Sequence, residues 1–198
     1  MIIIINNSGK LKDAYSTPKL ISFMEKNDIK YLVVSEVDEL NKLLINNMNQ
    51  INGIILSGSN LKYTDKLCTC KINMNLLCLL EFNVPILGIC FGLQTIGISF
   101  GGKIKSLPYH RDKRASIKFQ DHFLFKGIGK KHRFRSYHRD YLAEIPITFR
   151  PIAYGENNII EGIEHYNKPI YGVQFHPELS GKEGSKLLVN FLKKCKVI

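Results

Sequence analysis

Val84-Pro85-Ile86-Leu87-Gly88-Ile89-Cys90-Phe91-Gly92-Leu93-Gln94 is an apolar run that ends in Gly-x-Cys-x-Gly and passes into Thr95-Ile96-Gly97-Ile98. A short apolar run closed by a turn reads as a buried strand, and the spacing after it reads as a helix start. Strand, tight turn and helix with a nucleophilic side chain at the apex make a nucleophile elbow, here with cysteine in the place of serine. The glycines have a steric reason. The apex residue is held in strained backbone, and Gly88 and Gly92 let strand and helix approach closely on either side of it. The helix start aims backbone N–H groups and a partial positive charge at the sulfur. For a lone cysteine, burial ahead of a helix is the plainer reading; the flanking glycines favour a nucleophile.

A cysteine nucleophile needs a base, and the base needs an orienting group. Ile170-Tyr171-Gly172-Val173-Gln174-Phe175 reads as a second strand and runs into His176-Pro177-Glu178. Imidazole and carboxylate two residues apart, with a proline stiffening the link, can stand side by side. Cys90, His176 and Glu178 are therefore the candidate nucleophile, general base and orienting carboxylate. The two stretches together, Gly88 to Gln94 and Gly172 to Glu178, resemble the class I (triad type) glutamine amidotransferases.

Outward from the elbow, the chain reads as α/β. Met1 to Ile5 is an unbroken apolar run, as expected of a strand buried on both faces, and Asn6-Asn7-Ser8-Gly9-Lys10 is the turn out of it. Pro18 to Lys26 has helical spacing, Tyr31 to Ser35 reads as strand, Val37 to Met48 as helix and Gly53 to Leu56 as strand. Such alternation implies a mostly parallel central sheet flanked by helices, with ligands beyond the carboxyl ends of the strands. Further on, Phe100 to Ile104 reads as a turn. Ala115 to Phe119, His132 to Arg135 and Phe149 to Tyr154 alternate like strands and suggest an antiparallel extension, while Gly184 to Lys193 reads as a closing helix. At 198 residues the whole chain, 1–198, fits one domain; the resemblance implies an amidotransferase domain of flavodoxin-like layout.

The resemblance also implies site residues. Ser57-Gly58-Ser59-Asn60 stands where the family usually has Ser-Gly-Gly-Pro, so Gly58 becomes a substrate contact and the N–H groups of Ser59 and Phe91 become the oxyanion donors. If position 59 required positive φ, serine there would cost on the order of 1 kcal/mol relative to glycine. Ser136-Tyr137-His138-Arg139-Asp140, expected between two strands, would hold the α-amino and carboxylate ends of glutamine through Tyr137 and His138, with Gln94 as a further contact. In the GMP synthase branch a His-x-Asp faces the synthetase, and His138 and Asp140 match it.

Composition narrows the rest. The chain carries 28 basic and 17 acidic residues, a formal charge of +11, concentrated in Lys103 to Arg114 and Lys126 to Arg139. No nucleic-acid motif accompanies these stretches, so a solvated basic face that docks an acidic partner is favoured over nucleic-acid binding. The start lacks a basic n-region and a cleavage site, and no apolar run reaches transmembrane length, which points to a cytoplasmic protein with no membrane partner. The five cysteines are an odd number and are expected as free thiols. Cys68-Thr69-Cys70 with Cys78 lacks histidine and the spacing of a zinc site, so no metal is expected.

The resemblance implies hydrolysis of L-glutamine through a thioester, needing no cofactor for that half-reaction. Because the chain ends soon after Glu178, a separate ATP-dependent synthetase is expected to receive the ammonia. The opening Ile4 to Gly9, Glu81 to Gln94 and Pro169 to Glu178 are most similar to the GMP synthase branch. Leu179 to Gly184 is nearer imidazole glycerol phosphate synthase, and Ser136-Tyr137-His138 is similar to anthranilate synthase. A partner-independent γ-glutamyl hydrolase and a catalytically impaired regulatory chain remain alternative classes.

Overall fold

Four consecutive isoleucines at the start of the chain form β1 (Ile2–Ile5), and every one is buried. In the computed structural model, which describes residues 1–8, 14–46, 50–61 and 66–198, that strand has a neighbour on each side. It pairs in parallel with β2 (Tyr31–Val34) and with β3 (Gly53–Leu56). Next come β4 (Ile86–Ile89) against β3, and β9 (Ile170–Val173) against β4, all parallel. Alternating isoleucines of β1 therefore serve two cores. Ile2 and Ile4 face Leu20 and Met24 of α1 (Thr17–Lys26) and Leu187, Leu188 and Phe191 of α5 (Gly181–Lys194). Ile3 and Ile5 face Leu40 of α2 (Val37–Asn46), Met74 and Cys78 of α3 (Lys66–Glu81), and Leu93 and Ile96 of α4 (Phe91–Ser99). Helices cover both faces, which is why these strands read as continuous apolar runs and not as alternation.

Beyond β9 the sheet turns antiparallel through β8 (Ile160–His165), β7 (Phe149–Tyr154), β5 (Lys103–Phe119) and β6 (Lys131–Glu144). The order among the described residues is β2-β1-β3-β4-β9-β8-β7-β5-β6. The expected antiparallel extension is thus present and longer than its three alternating segments suggest. Ser136 to Asp140 lies inside β6, not between strands. The ladder of β5 and β6 is irregular: Ser106 pairs with Asp140 and Arg111 with His138, so Leu107 to His110 bulge out of register. Bulges of this kind re-aim side chains and free backbone groups beside active sites.

The expected α2 extends to Asn46, and its expected end at Asn47 and Met48 lies outside the described residues, as do Gly9 and Lys10 of the first turn. Among the described cysteines Cys70 is exposed, while Cys78, Cys90 and Cys195 are buried, and all are free thiols. The Cys68 side chain lies outside the described residues. No described helix is long and apolar enough to cross a membrane.

Candidate active site

Cys90 stands between β4 and α4 with φ 52° and ψ −101°, a conformation that a side-chain-bearing residue adopts only under constraint. The constraint is visible on both sides. Cys90 N–H donates to the Val173 carbonyl at 2.8 Å, and its own carbonyl accepts from Gln94 N–H at 3.0 Å as the first bond of α4. A Cβ added to Gly88 would lie 2.6 Å from the Gly92 carbonyl carbon, and one added to Gly92 would lie 2.3 Å from the Leu56 carbonyl oxygen. Strand and helix approach as closely as the two glycines predict.

The neighbouring strand delivers the base. β4 and β9 are in register at Ile89 and Val173, so the residues just past each strand come out side by side. His176 N–H donates to the Arg135 carbonyl of β6 at 2.8 Å, and Ser180 Oγ donates to the His176 carbonyl at 2.5 Å. Proline opens a short 3-10 turn, Pro177–Leu179, that folds Glu178 back on the histidine. Glu178 Oε1 lies 2.7 Å from His176 Nδ1, and both side chains are fully buried. Burial alone would lower the pKa of His176, but the Glu178 carboxylate and Cys90 outweigh it and raise it to about 10. With Glu178 accepting at Nδ1, that nitrogen carries the proton and Nε2 faces outward.

Around the sulfur, the Cys90 thiol points at the Tyr137 carbonyl, 3.8 Å away, and Gln174 donates its Nε2–H to Sγ at 3.5 Å. Gln94 Nε2 in turn donates to the Asp140 carbonyl at 2.6 Å and to Gln174 Oε1 at 3.3 Å. A cavity of about 730 Å³ opens over Cys90, and its wall includes Ser59, Phe91, Gln94, Tyr137, His138 and Asp140. It is within the usual size range of small-ligand sites. The bulged residues Pro108, Tyr109 and His110 complete one side.

The expected site residues thus converge, with three particulars that the sequence did not suggest. Ser59 is not among the described residues with positive φ, so the expected strain at that position is absent, and its Oγ accepts from Leu61 N–H at 3.0 Å. Gly58 touches the base: a Cβ there would meet His176 Cε1 at 2.7 Å. The His138 side chain is only 4% exposed and bonds through Nδ1 to the Asp140 carbonyl at 3.1 Å, so its imidazole is turned into the cavity wall. Burial and the nearby Arg111 and His176 charges lower its pKa to about 3, which keeps it neutral. Asp140 does sit at the rim, its carboxylate accepting from Ser106 Oγ at 2.6 Å.

Sequence reading does not find Tyr15 and Ser16. The Tyr15 hydroxyl lies 3.1 Å from His176 Nε2, and Ser16 Oγ donates to Glu178 Oε1 at 2.6 Å. The one signal in the chain is positional. Ser16 precedes Thr17-Pro18 at a helix start, where serine usually caps, yet it makes no cap bond and reaches the triad instead.

Comparison with known proteins gives a consistent picture. A family model described as glutamine amidotransferase class-I matches residues 10–195. A protein of Methanococcus aeolicus, named as the glutamine-hydrolyzing subunit of GMP synthase, is 34% identical over 98% of this chain and 97% of its own length. One of the same name from Pyrococcus abyssi is 43% identical, over 58% of this chain and 62% of that relative. A crystal structure from Thermoplasma acidophilum, described as a GMP synthase subunit, superposes with a TM-score of 0.83 over 98% of this chain and 93% of that one. At 23% identity it speaks for the fold alone.

Proposed function

The chain belongs to the class I glutamine amidotransferase family, and from that we propose that residues 1–198 act as one glutaminase domain supplying ammonia to a separate synthetase of the GMP synthase kind. The observation that carries the reading is the buried His176–Glu178 pair, 2.7 Å apart, beside a strained cysteine at the floor of a cavity. In this reading the side-chain amide of L-glutamine lies over Cys90, with Gly58, Gln94, Tyr137 and His138 around the substrate. The sulfur attacks the amide carbonyl, and the N–H groups of Ser59 and Phe91 receive the oxyanion. His176 takes the thiol proton and gives it to the departing nitrogen. Ammonia leaves and a glutamyl thioester remains, which water activated by the same imidazole hydrolyses to glutamate and free thiol. Glu178 orients the ring and stabilises it when charged.

The names of the Methanococcus and Pyrococcus relatives support an acceptor of the GMP synthase type. Activation of an oxygen-bearing acceptor for amination is the partner's task, and ATP is consumed there, in the cytoplasm. His138 and Asp140 belong to the wall that would face the partner, Asp140 at the rim and His138 behind it.

The test is chemical. Cys90→Ala abolishes glutamine hydrolysis with the fold intact, and a glutamine-analogue chloroketone labels Cys90 while sparing Cys68, Cys70, Cys78 and Cys195. Loss of activity on labelling of any other cysteine refutes the assignment.

A further inference from the structure

The segment entering α1 carries two adjacent side chains into the triad. Ser16 Oγ donates to Glu178 Oε1 at 2.6 Å and accepts from Gly58 N–H at 3.3 Å. Beside it the Tyr15 hydroxyl meets His176 Nε2 at 3.1 Å, and the Tyr15 ring packs edge-on against Tyr137 with centroids 5.2 Å apart. Thr17 fastens the same segment to the sheet through Asn6 at 3.0 Å and Ser57 at 3.2 Å.

An imidazole nitrogen has one in-plane site, either a lone pair or an N–H. Nδ1 of His176 is committed to Glu178, so Nε2 is the nitrogen left to take the thiol proton and to protonate the departing amine. Tyr15 occupies that single site. The consequence is visible in the cavity: Cys90 is part of its wall, whereas His176 is 0% exposed and is not among the lining residues. Nucleophile and base face different surroundings, with the phenol between them.

We infer that Tyr15 is a positioning residue that holds His176 in a resting arrangement, its hydroxyl keeping Nε2 from Cys90 and from substrate until turnover exchanges that contact. The inference rests on the roles given above to Cys90 and His176. A phenol donates to a neutral ring and accepts from a charged one, so protonation of His176 does not release it. Burial, with Cys90 and Glu178 nearby, raises the Tyr15 pKa, so the hydroxyl stays protonated and keeps both capacities. One net hydrogen bond shifts an equilibrium by about threefold to tenfold. The contact therefore slows the free enzyme without silencing it, and whatever moves the segment entering α1 accelerates it.

Tyr15→Phe removes the hydroxyl and keeps the ring packing. The expected result is a rise in glutaminase kcat/KM of about threefold to tenfold. With it, the imidazole ¹⁵N resonance of His176 Nε2 moves while that of Nδ1, held by Glu178, stays; a merely structural role would move both or neither. Cys90→Ala in the same assay separates the two readings. If Cys90→Ala still turns over, the triad assignment fails. If it is dead while Tyr15→Phe is no faster than wild type, or slower, the triad stands and the role of Tyr15 is overturned.

Discussion

Gly58 and Gly92 are both small because something else occupies the space, but what would have to yield differs. At Gly92 a new Cβ would sit 2.3 Å from the Leu56 carbonyl oxygen and 2.8 Å from Leu56 Cβ, both fixed by the ladder of β3. At Gly58 the obstacles are side-chain ends, His176 Cε1 at 2.7 Å and the Tyr15 hydroxyl at 3.2 Å. Gly92→Ala is thus expected to cost about 1–3 kcal/mol of stability, as overpacking of a core does. Gly58→Ala should leave the unfolding midpoint nearly unchanged while it displaces the base. A misplacement near 1 Å at a catalytic group is worth roughly 10²-fold in rate. Denaturant unfolding and glutaminase assays on the same two variants check this. Equal effects of both on stability would show that the loop at Gly58 is as rigid as β3.

At the scale of elements, β5 and β6 form the wall that the parallel half lacks, and they bury charge behind it. Arg111 of β5 and Glu161 of β8 pair at 3.1 Å with side chains 3% and 0% exposed. His138 of β6 lies among Arg111, His176 and His110, and its pKa of about 3 contrasts with the ordinary value of 6.5. The sign of the pH effect follows. As pH falls from 6.5 towards 3, the unfolded chain takes up a proton at His138 that the folded chain refuses, so stability falls on acidification. By linkage the loss is about 2 kcal/mol at pH 5. His138→Gln should lose that share of the acid sensitivity, read as the difference in urea midpoint between neutral and mildly acid solution. An unchanged difference would mean that His138 protonates freely in the fold.

The same elements show what the sequence could and could not disclose. The isoleucines of β1 and the glycine-flanked elbow were legible because a two-faced core and a close approach each demand particular residues. The Lys66–Glu81 helix α3 was not, since its buried face carries Lys71 and Asn75 beside Met74 and Cys78, while Leu80 is 65% exposed. β8 hides a carboxylate, Glu161, at a core position, and the Lys103 to His110 part of β5 is exposed or half-buried throughout. Neither can show alternation. In the candidate site the triad was legible as chemistry in motifs. Tyr15 was not, because its role comes from the packing of α1 against the turn after β9, and no local pattern encodes that.

For the whole molecule, the cavity opens between two halves of the sheet with different surfaces. The parallel half contributes Ser59, Asn60 and Cys90, while the antiparallel half contributes Ser106, Pro108, Tyr109 and Arg139. Tyr109 is 58% exposed, and Lys103, Lys105 and Arg139 on the same two strands are also exposed. Ammonia released into open water is protonated and lost as a nucleophile, so the acceptor has to cover this mouth. With a formal charge of +11 on the chain, a synthetase face carrying carboxylates would be drawn to it over long range. Charge reversal at Lys105→Glu and Arg139→Glu should therefore weaken association with the synthetase and lower the ratio of aminated product to glutamate formed. Amination from added ammonium salt should be unaffected, because it bypasses the mouth. Raising salt from about 0.1 M to about 1 M shortens the screening length from roughly 10 Å to 3 Å, so the gap between variants and wild type should close across that range. If association proves indifferent to both salt and charge reversal, docking is apolar and the basic face serves solubility alone.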